Sequence, residues 1–165
     1  MINITSYVIG KMISYFGNDI KRINHALKVY GFCKSIGGIE KLNEYDMLIL
    51  ELAAILHDIG IKESERKYNS SAGDYQEIEG PPIAKELLKG LNLDENIIER
   101  ICFLIGNHHS YNKIDKTDLQ ILIESDFLVN AYEDNIKKAA IKFMKDKYFK
   151  TPAGRRFLDT IYTNQ

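Results

Sequence analysis

Along most of the chain apolar residues recur at helical spacing, and stretches that alternate like strands are few. This pattern predicts an all-α protein of about six to eight helices. Asn18 can cap a helix over Asp19–Ile36 that Gly37-Gly38 close, and Asn43 can cap one over Glu44–His57 with Gly60 just beyond. Pro81-Pro82 suit the first turn of a third helix, where a proline loses no helical hydrogen bond. Asp94 can cap a helix over Glu95–Ile105, and further helices are expected over Thr117–Asn130, Glu133–Tyr148 and Ala153–Ile161. The polar stretch 61–79, with Ser70-Ser71 and Gly73 at its centre, reads as a long loop, and loops of that length in compact domains are usually functional or disordered. At 165 residues the chain suits one domain spanning 1–165.

Four polar residues interrupt this pattern. Asp126 shares a helical face with Leu119, Leu122, Ile123 and Val129, so it points toward the core. A buried carboxylate costs several kcal/mol (about 3 or more) unless it is paired or bound to a cation. His25 lies off the polar face of Lys21, Asn24, Lys28 and Ser35, in line with Val29, Phe32 and Ile36, and Arg22 points the same way one turn earlier. His57-Asp58 ends the apolar run LILELAAIL, placing two potential ligands at the mouth of a buried helix. Taken singly, each also fits a satisfied core histidine or a paired carboxylate. Taken together they are harder to dismiss, because all four histidines (His25, His57, His108 and His109) fall at core-facing positions or helix ends. Imidazole and carboxylate in one site suit Mn, Fe, Co, Ni or Zn, and Mg less well.

Composition narrows the field further. Lys plus Arg number 22 against 23 Asp plus Glu, a net charge of -1, which argues against a protein that coats nucleic acid. Cys33 and Cys102 lie in apolar helical stretches without a spaced metal motif, so they read as small core hydrophobes. No run approaches the ~20 apolar residues of a membrane span. The N-terminal MINITSYVIGKMISYF lacks the features of a signal peptide, so no membrane role and a cytoplasmic location are expected.

In order and setting, His25, the pair His57-Asp58 in AAILHDIGIK, and Asp126 in LIESDFLVN resemble the H…HD…D signature of the HD superfamily of phosphohydrolases. The resemblance covers roughly residues 15–135, with C-terminal helices over 133–163 beyond it, and EIEGPPIAKELL and IGNHHSY are similar to later helices of that family. It implies a single helical HD-type domain holding a divalent ion through His25, His57, Asp58 and Asp126. Two-metal members usually carry a histidine four residues before the glycine of the middle helix, where this chain has Gln76 before Gly80. One firm site is therefore expected, with a second, weaker one left open at Gln76, His108 and His109.

The implied activity is hydrolysis of a phosphomonoester or phosphodiester in a small nucleotide-like substrate. A bound divalent ion lowers the pKa of its water from ~15.7 to about 7. Asp58 is expected to hold metal while orienting or deprotonating that water, and to bridge if a second ion binds. Arg22 suits phosphate as a fork donor. Lys62 and Lys67 are candidate phosphate contacts, Tyr111 a stacking partner for a base, and His109 a ligand or a general acid. The stretch 61–79 is a candidate lid, with Tyr68, Ser70, Ser71 and Tyr75 at the leaving group. The alternative is a metal-containing binding or regulatory module that has lost turnover, which Gln76 keeps open. Helices at 133–161 suit either padding of the core or a homodimer interface, and the mixed face of IKFMKDKYFK favours neither.

Overall fold

The computed structural model describes residues 3–163, and among them nine α-helices follow one another with no strand. That exceeds the expected six to eight, because two helices fall in segments the pattern does not assign. The first is α1 (Ile4–Phe16), capped by Asn3, whose side chain accepts from the Ser6 amide. The second is α4 (Ile61–Tyr68), which replaces the first half of the expected long loop. Its residues are polar on nearly every side, so no apolar stripe betrays it. Ion pairs one turn apart support it instead, Glu63 with Arg66 at 2.5 Å and with Lys67 at 3.5 Å. Asn69, with φ of 51°, ends α4 in the left-handed region that asparagine tolerates.

Other boundaries move for identifiable reasons. Helix α2 (Ile20–Ile39) is capped by Asp19, not Asn18, and runs straight through Gly37-Gly38. Gly37 is a packing residue: a Cβ there would stand 2.9 Å from Met47 Cε on α3 (Glu44–Leu56). Asn43 caps α3 as expected, accepting from the Asp46 amide. Helix α5 (Gly73–Leu88) begins eight residues before Pro81 and carries both prolines inside it, so they do not start a helix. Helix α6 (Glu95–Ile105) matches its expected range. Helix α7 (Thr117–Glu133) is one turn longer than expected, so α8 (Lys138–Tyr148) starts later, and α9 (Pro152–Leu158) passes into a π turn at Asp159–Thr163.

Helices α2, α3 and α7 pack against one another at the centre, with α6 against α3, α5 against α6, and α4 against α5. Every residue of α3 from Ile49 to Leu56 is buried. Helix α7 is likewise buried on all sides, and its Glu124, fully enclosed, accepts from the Lys150 amide at 2.6 Å, the Thr151 amide at 2.9 Å and Gln120 Nε2 at 2.7 Å. These charge-assisted bonds fix the chain as it enters α9. Cys33 and Cys102 are both free thiols, and burial pushes Cys33 up to about 12. No helix among the described residues is long and apolar enough to cross a membrane.

One crossing sets the geometry of the site. Where the turn after His57-Asp58 enters α4, Gly60 lies against the backbone of α5: a Cβ there would stand 2.5 Å from Gly80 N and 2.6 Å from Gln76 O. Only a glycine at position 60 lets the two segments come this close, whereas Gly80 makes room for α6, since a Cβ there would stand 2.7 Å from Ile105 Cγ2.

Candidate metal centre

Each expected ligand sits where a helix delivers it to one point between α2, α3 and α7. His25 comes from the middle of α2, His57 is the C-cap of α3, Asp58 follows it, and Asp126 comes from the middle of α7. His25 Nε2 stands 3.1 Å from His57 Nε2 and 3.0 Å from Asp126 Oδ1. His57 Nε2 stands 3.5 Å from the same Asp126 oxygen, and both histidines lie 3.5 Å from Asp58 Oδ2. Ligands at about 2.1 Å from one ion stand about 3.0 Å apart at a right angle and about 3.4 Å apart at the tetrahedral angle. The spacings observed fit donors around a shared cation, as they also fit hydrogen bonds between the same groups.

Which nitrogen faces the centre is settled by the other one. His57 Nδ1 donates to the Ala54 carbonyl at 2.7 Å, His108 Nδ1 to the Ile105 carbonyl at 2.8 Å, and His25 Nδ1 to Glu133 Oε2 at 2.8 Å. With a proton on Nδ1, Nε2 is the nitrogen that faces the carboxylates in each ring, and it can serve as a metal donor once it carries no proton of its own. Three imidazoles converge on two carboxylates in a largely buried space, where a divalent ion can replace the protons that hold His25 and His57 positive and can give each Nε2 a partner. His108 makes the point most clearly, because its Nε2 is buried without any hydrogen-bond partner and stands 3.4 Å from Asp58 Oδ1.

Asp58 thus faces two ways. Its Oδ2 joins His25 and His57, while its Oδ1 faces His108; His109 completes this second group. The donors of Asp58, His108 and His109 all lie within 4.8 Å of one another. Gln76 borders this second group with its Oε1 3.4 Å from His109 Nε2, its amide nitrogen being tied to the Ser71 carbonyl at 2.7 Å.

Protonation follows from the crowding of charge. Burial pushes the His25 imidazole down, but hydrogen bonding to Asp126 and the charges of Asp58 and Asp126 outweigh it and raise it to about 9. His57 is raised against its burial by Asp58 and Asp126. Asp58 and Asp126 are held well below the ordinary carboxylate range against burial, the first by His57 and His108, the second by His25 and His57. A proton on His25 competes with any ion at Nε2. Metal affinity should therefore rise with pH up to about 9, by about tenfold per unit while one proton is displaced. In the metal-stripped protein the sign reverses. A pKa raised from 6.5 contributes stability that is full below 6.5 and fades as pH climbs through about 9, so its melting temperature should fall across that window. Calorimetric titration with Mn and thermal melts at several pH values check both trends. A flat affinity from pH 6.5 to 9 would contradict the assignment.

The centre opens into a cleft of about 440 Å³ bordered by Arg22, His25, Asp58, Gln76, His109 and Asp126. Arg22 is on the cleft wall, paired with Asp19 at 3.0 Å and Glu65 at 2.5 Å. The other expected substrate contacts are engaged elsewhere. Lys62 Nζ donates to the Tyr15 carbonyl at 3.2 Å, Lys67 Nζ pairs with Glu79 at 2.8 Å, and Tyr111 packs on Tyr148 with ring centroids 4.7 Å apart. Of the expected lid residues only Ser71 lines the cleft; Tyr68 and Tyr75 stack on each other at 4.1 Å. Cleft residues that the sequence pattern does not single out include Lys21, which forms no ion pair among the described residues, Asn130, and Glu133 behind His25. Glu133 has a readable signal, since it follows Asp126 by seven positions on one face of α7.

Comparison with known proteins bears on the fold and the family. Among solved structures, a predicted HD superfamily hydrolase from an uncultured Thermotogales bacterium superposes with a TM-score of 0.69 at 21% identity, covering 99% of this chain and 92% of that one. At that identity the likeness bears on the fold. Comparison with curated proteins returns no match. The family profile of the HD domain matches residues 22–143, a span that takes in His25, His57, Asp58 and Asp126. By that match over most of its length, the chain belongs to the HD domain family.

Proposed function

We propose that the chain is a metal-dependent phosphohydrolase that cleaves a phosphomonoester or phosphodiester in a small nucleotide-like substrate. The observation that carries this reading is the convergence of three imidazole Nε2 atoms on two carboxylates, with Asp58 shared between the groups. The name of the Thermotogales structure, a predicted HD superfamily hydrolase, points the same way.

His25, His57, Asp58 and Asp126 would hold one divalent ion (Mn, Fe, Co, Ni, Zn or Mg), and Asp58, His108 and His109 a second. Such an ion supplies a water of pKa about 7 and offsets charge growing on a phosphoryl oxygen. The remaining steps belong to the chain. Asp58, its two oxygens facing two groups, would hold the ion and orient the attacking water, whose proton leaves to solvent near neutral pH. Arg22 and Lys21 on the cleft wall draw in the phosphate, Arg22 by exchanging a carboxylate for a phosphoryl oxygen. His109, exposed at the cleft, is lowered to about 4 by its crowded surroundings and by the neighbouring His108, which favours the neutral ring that a ligand needs. A cleft of about 440 Å³ suits one small ligand, such as a mononucleotide. A cytoplasmic location and a homodimer belong to the same proposal.

The test is to strip the protein, reload it with each of those metals and measure phosphate release from a panel of nucleotides. Turnover that needs the ion supports the reading; inertness with every metal and nucleotide sinks it. One observation favours a second reading. Gln76 stands where an imidazole would complete the second group, and its amide is tied back to Ser71, so a metal-containing regulatory module without turnover would also carry these residues. Such a module binds the ion and a nucleotide but releases no phosphate.

A further inference from the structure

The three imidazoles are not anchored alike. His57 and His108 each give their Nδ1 proton to a main-chain carbonyl, but His25 gives its proton to the carboxylate of Glu133. The other oxygen of that carboxylate takes a hydrogen bond of 2.5 Å from Lys28 Nζ. Spacing on two helices creates this chain. Lys28 follows His25 by three residues on α2, and Glu133 follows Asp126 by seven on α7. The carboxylate that faces the ring's inner edge and the one that faces its outer edge are therefore two turns apart on one helix face.

We propose that Glu133, held in line by Lys28, is a positioning residue that sets the orientation and donor strength of His25 toward a divalent ion. The inference rests on the metal-centre reading above and goes beyond it, because Glu133 is no ligand: it touches only the nitrogen on the far side of the ring. A main-chain carbonyl can orient an imidazole. A carboxylate also draws on the Nδ1 proton and makes Nε2 a stronger donor. Lys28 is about half exposed, while the Glu133 side chain retains only 15% exposure, so the lysine closes the outer end of the chain without entering the site. His25 lies on the cleft-facing side of the centre, with 6% exposure against none for His57. Of His25, His57 and His108 it thus has the least support from surrounding packing, and is the one for which a side-chain anchor matters most.

The experiment compares wild type with Glu133→Gln, Glu133→Ala and Lys28→Met, titrating each stripped protein with Mn alone by calorimetry and recording its melting temperature with and without Mn. Glutamine keeps the acceptor for Nδ1 and loses the charge. The expected order is a loss of about tenfold in Mn affinity for Glu133→Gln, about a hundredfold for Glu133→Ala, and less than tenfold for Lys28→Met. If Glu133→Ala does not fold, Glu133→Gln alone decides. A purely structural clasp between α2 and α7 would lower the melting temperature equally with and without Mn and leave affinity at the wild-type value, which overturns the proposal. Wild type that binds no Mn overturns the metal-centre reading itself and this inference with it.

Discussion

Asp58→Ala should abolish metal-dependent phosphate release and weaken Mn binding by more than about a hundredfold, the usual upper loss for a residue that acts only behind a ligand. Asp58 is the one side chain whose two oxygens face both groups, Oδ2 toward His25 and His57 and Oδ1 toward His108. Its removal deprives both of a negative charge and leaves His108 Nε2, already without a hydrogen-bond partner, facing empty space. Asp58→Asn separates charge from shape, because it keeps the volume and one carbonyl oxygen. It should retain some Mn binding at the first group and still show no turnover. Both variants should fold, since no backbone amide depends on this carboxylate among the described residues. Wild-type rates in either variant would remove Asp58 from the mechanism.

Gly60→Ala carries the second large expectation, and it acts through the backbone. The new methyl group would stand 2.5 Å from Gly80 N, 2.6 Å from Gln76 O and 2.9 Å from Gly80 Cα, all main-chain atoms that cannot rotate away. Overpacking of this kind costs about 3 kcal/mol, and melting should fall by about 6 to 12 °C. Because Gly60 follows Asp58 by two residues, relief of the clash shifts the ligand as well, so Mn affinity should fall together with stability. Gly10→Ala is the contrasting control. Gly10 lies inside α1, and a methyl group added there would meet nothing within 4 Å, so alanine should stabilise by about 0.5 to 1 kcal/mol. Equal melting temperatures for the two variants would show that the crossing is looser than these distances imply.

How far these features can be read from sequence depends on what carries them. His25 and Asp126 stand out because a polar residue within an apolar helical stripe breaks a pattern of fixed period. His57-Asp58 stands out by ending an unbroken apolar run. Glu133 escapes because the apolar pattern closes its helix at Asn130, one turn too soon. Glu124 escapes for another reason: α7 is buried all round, so no stripe separates its inner from its outer residues. The stretch 61–79 reads as a loop because α4 depends on charge pairs and on its seat against α5, and neither leaves an apolar period. Pro81 and Pro82 mislead because local preference favours a first turn, whereas tertiary packing carries α5 through both. Lys62 and Lys67 show the limit for surface cations: sequence supplies the charge, but a neighbouring carbonyl or carboxylate decides where it points.

The bonds from His57 to the Ala54 carbonyl and from His108 to the Ile105 carbonyl do two things at once. They satisfy acceptors in the last turns of α3 and α6, where helical partners run out, and they fix both rings. Those two donors are consequently as rigid as the helix ends and stay aimed when no ion is held. His25 hangs from a side chain that can swing, on the wall open to solvent. Ion exchange should therefore be gated on that wall alone, and a slow off-rate should quicken when the Glu133 anchor is cut but remain unchanged by substitutions that loosen the far side of the centre.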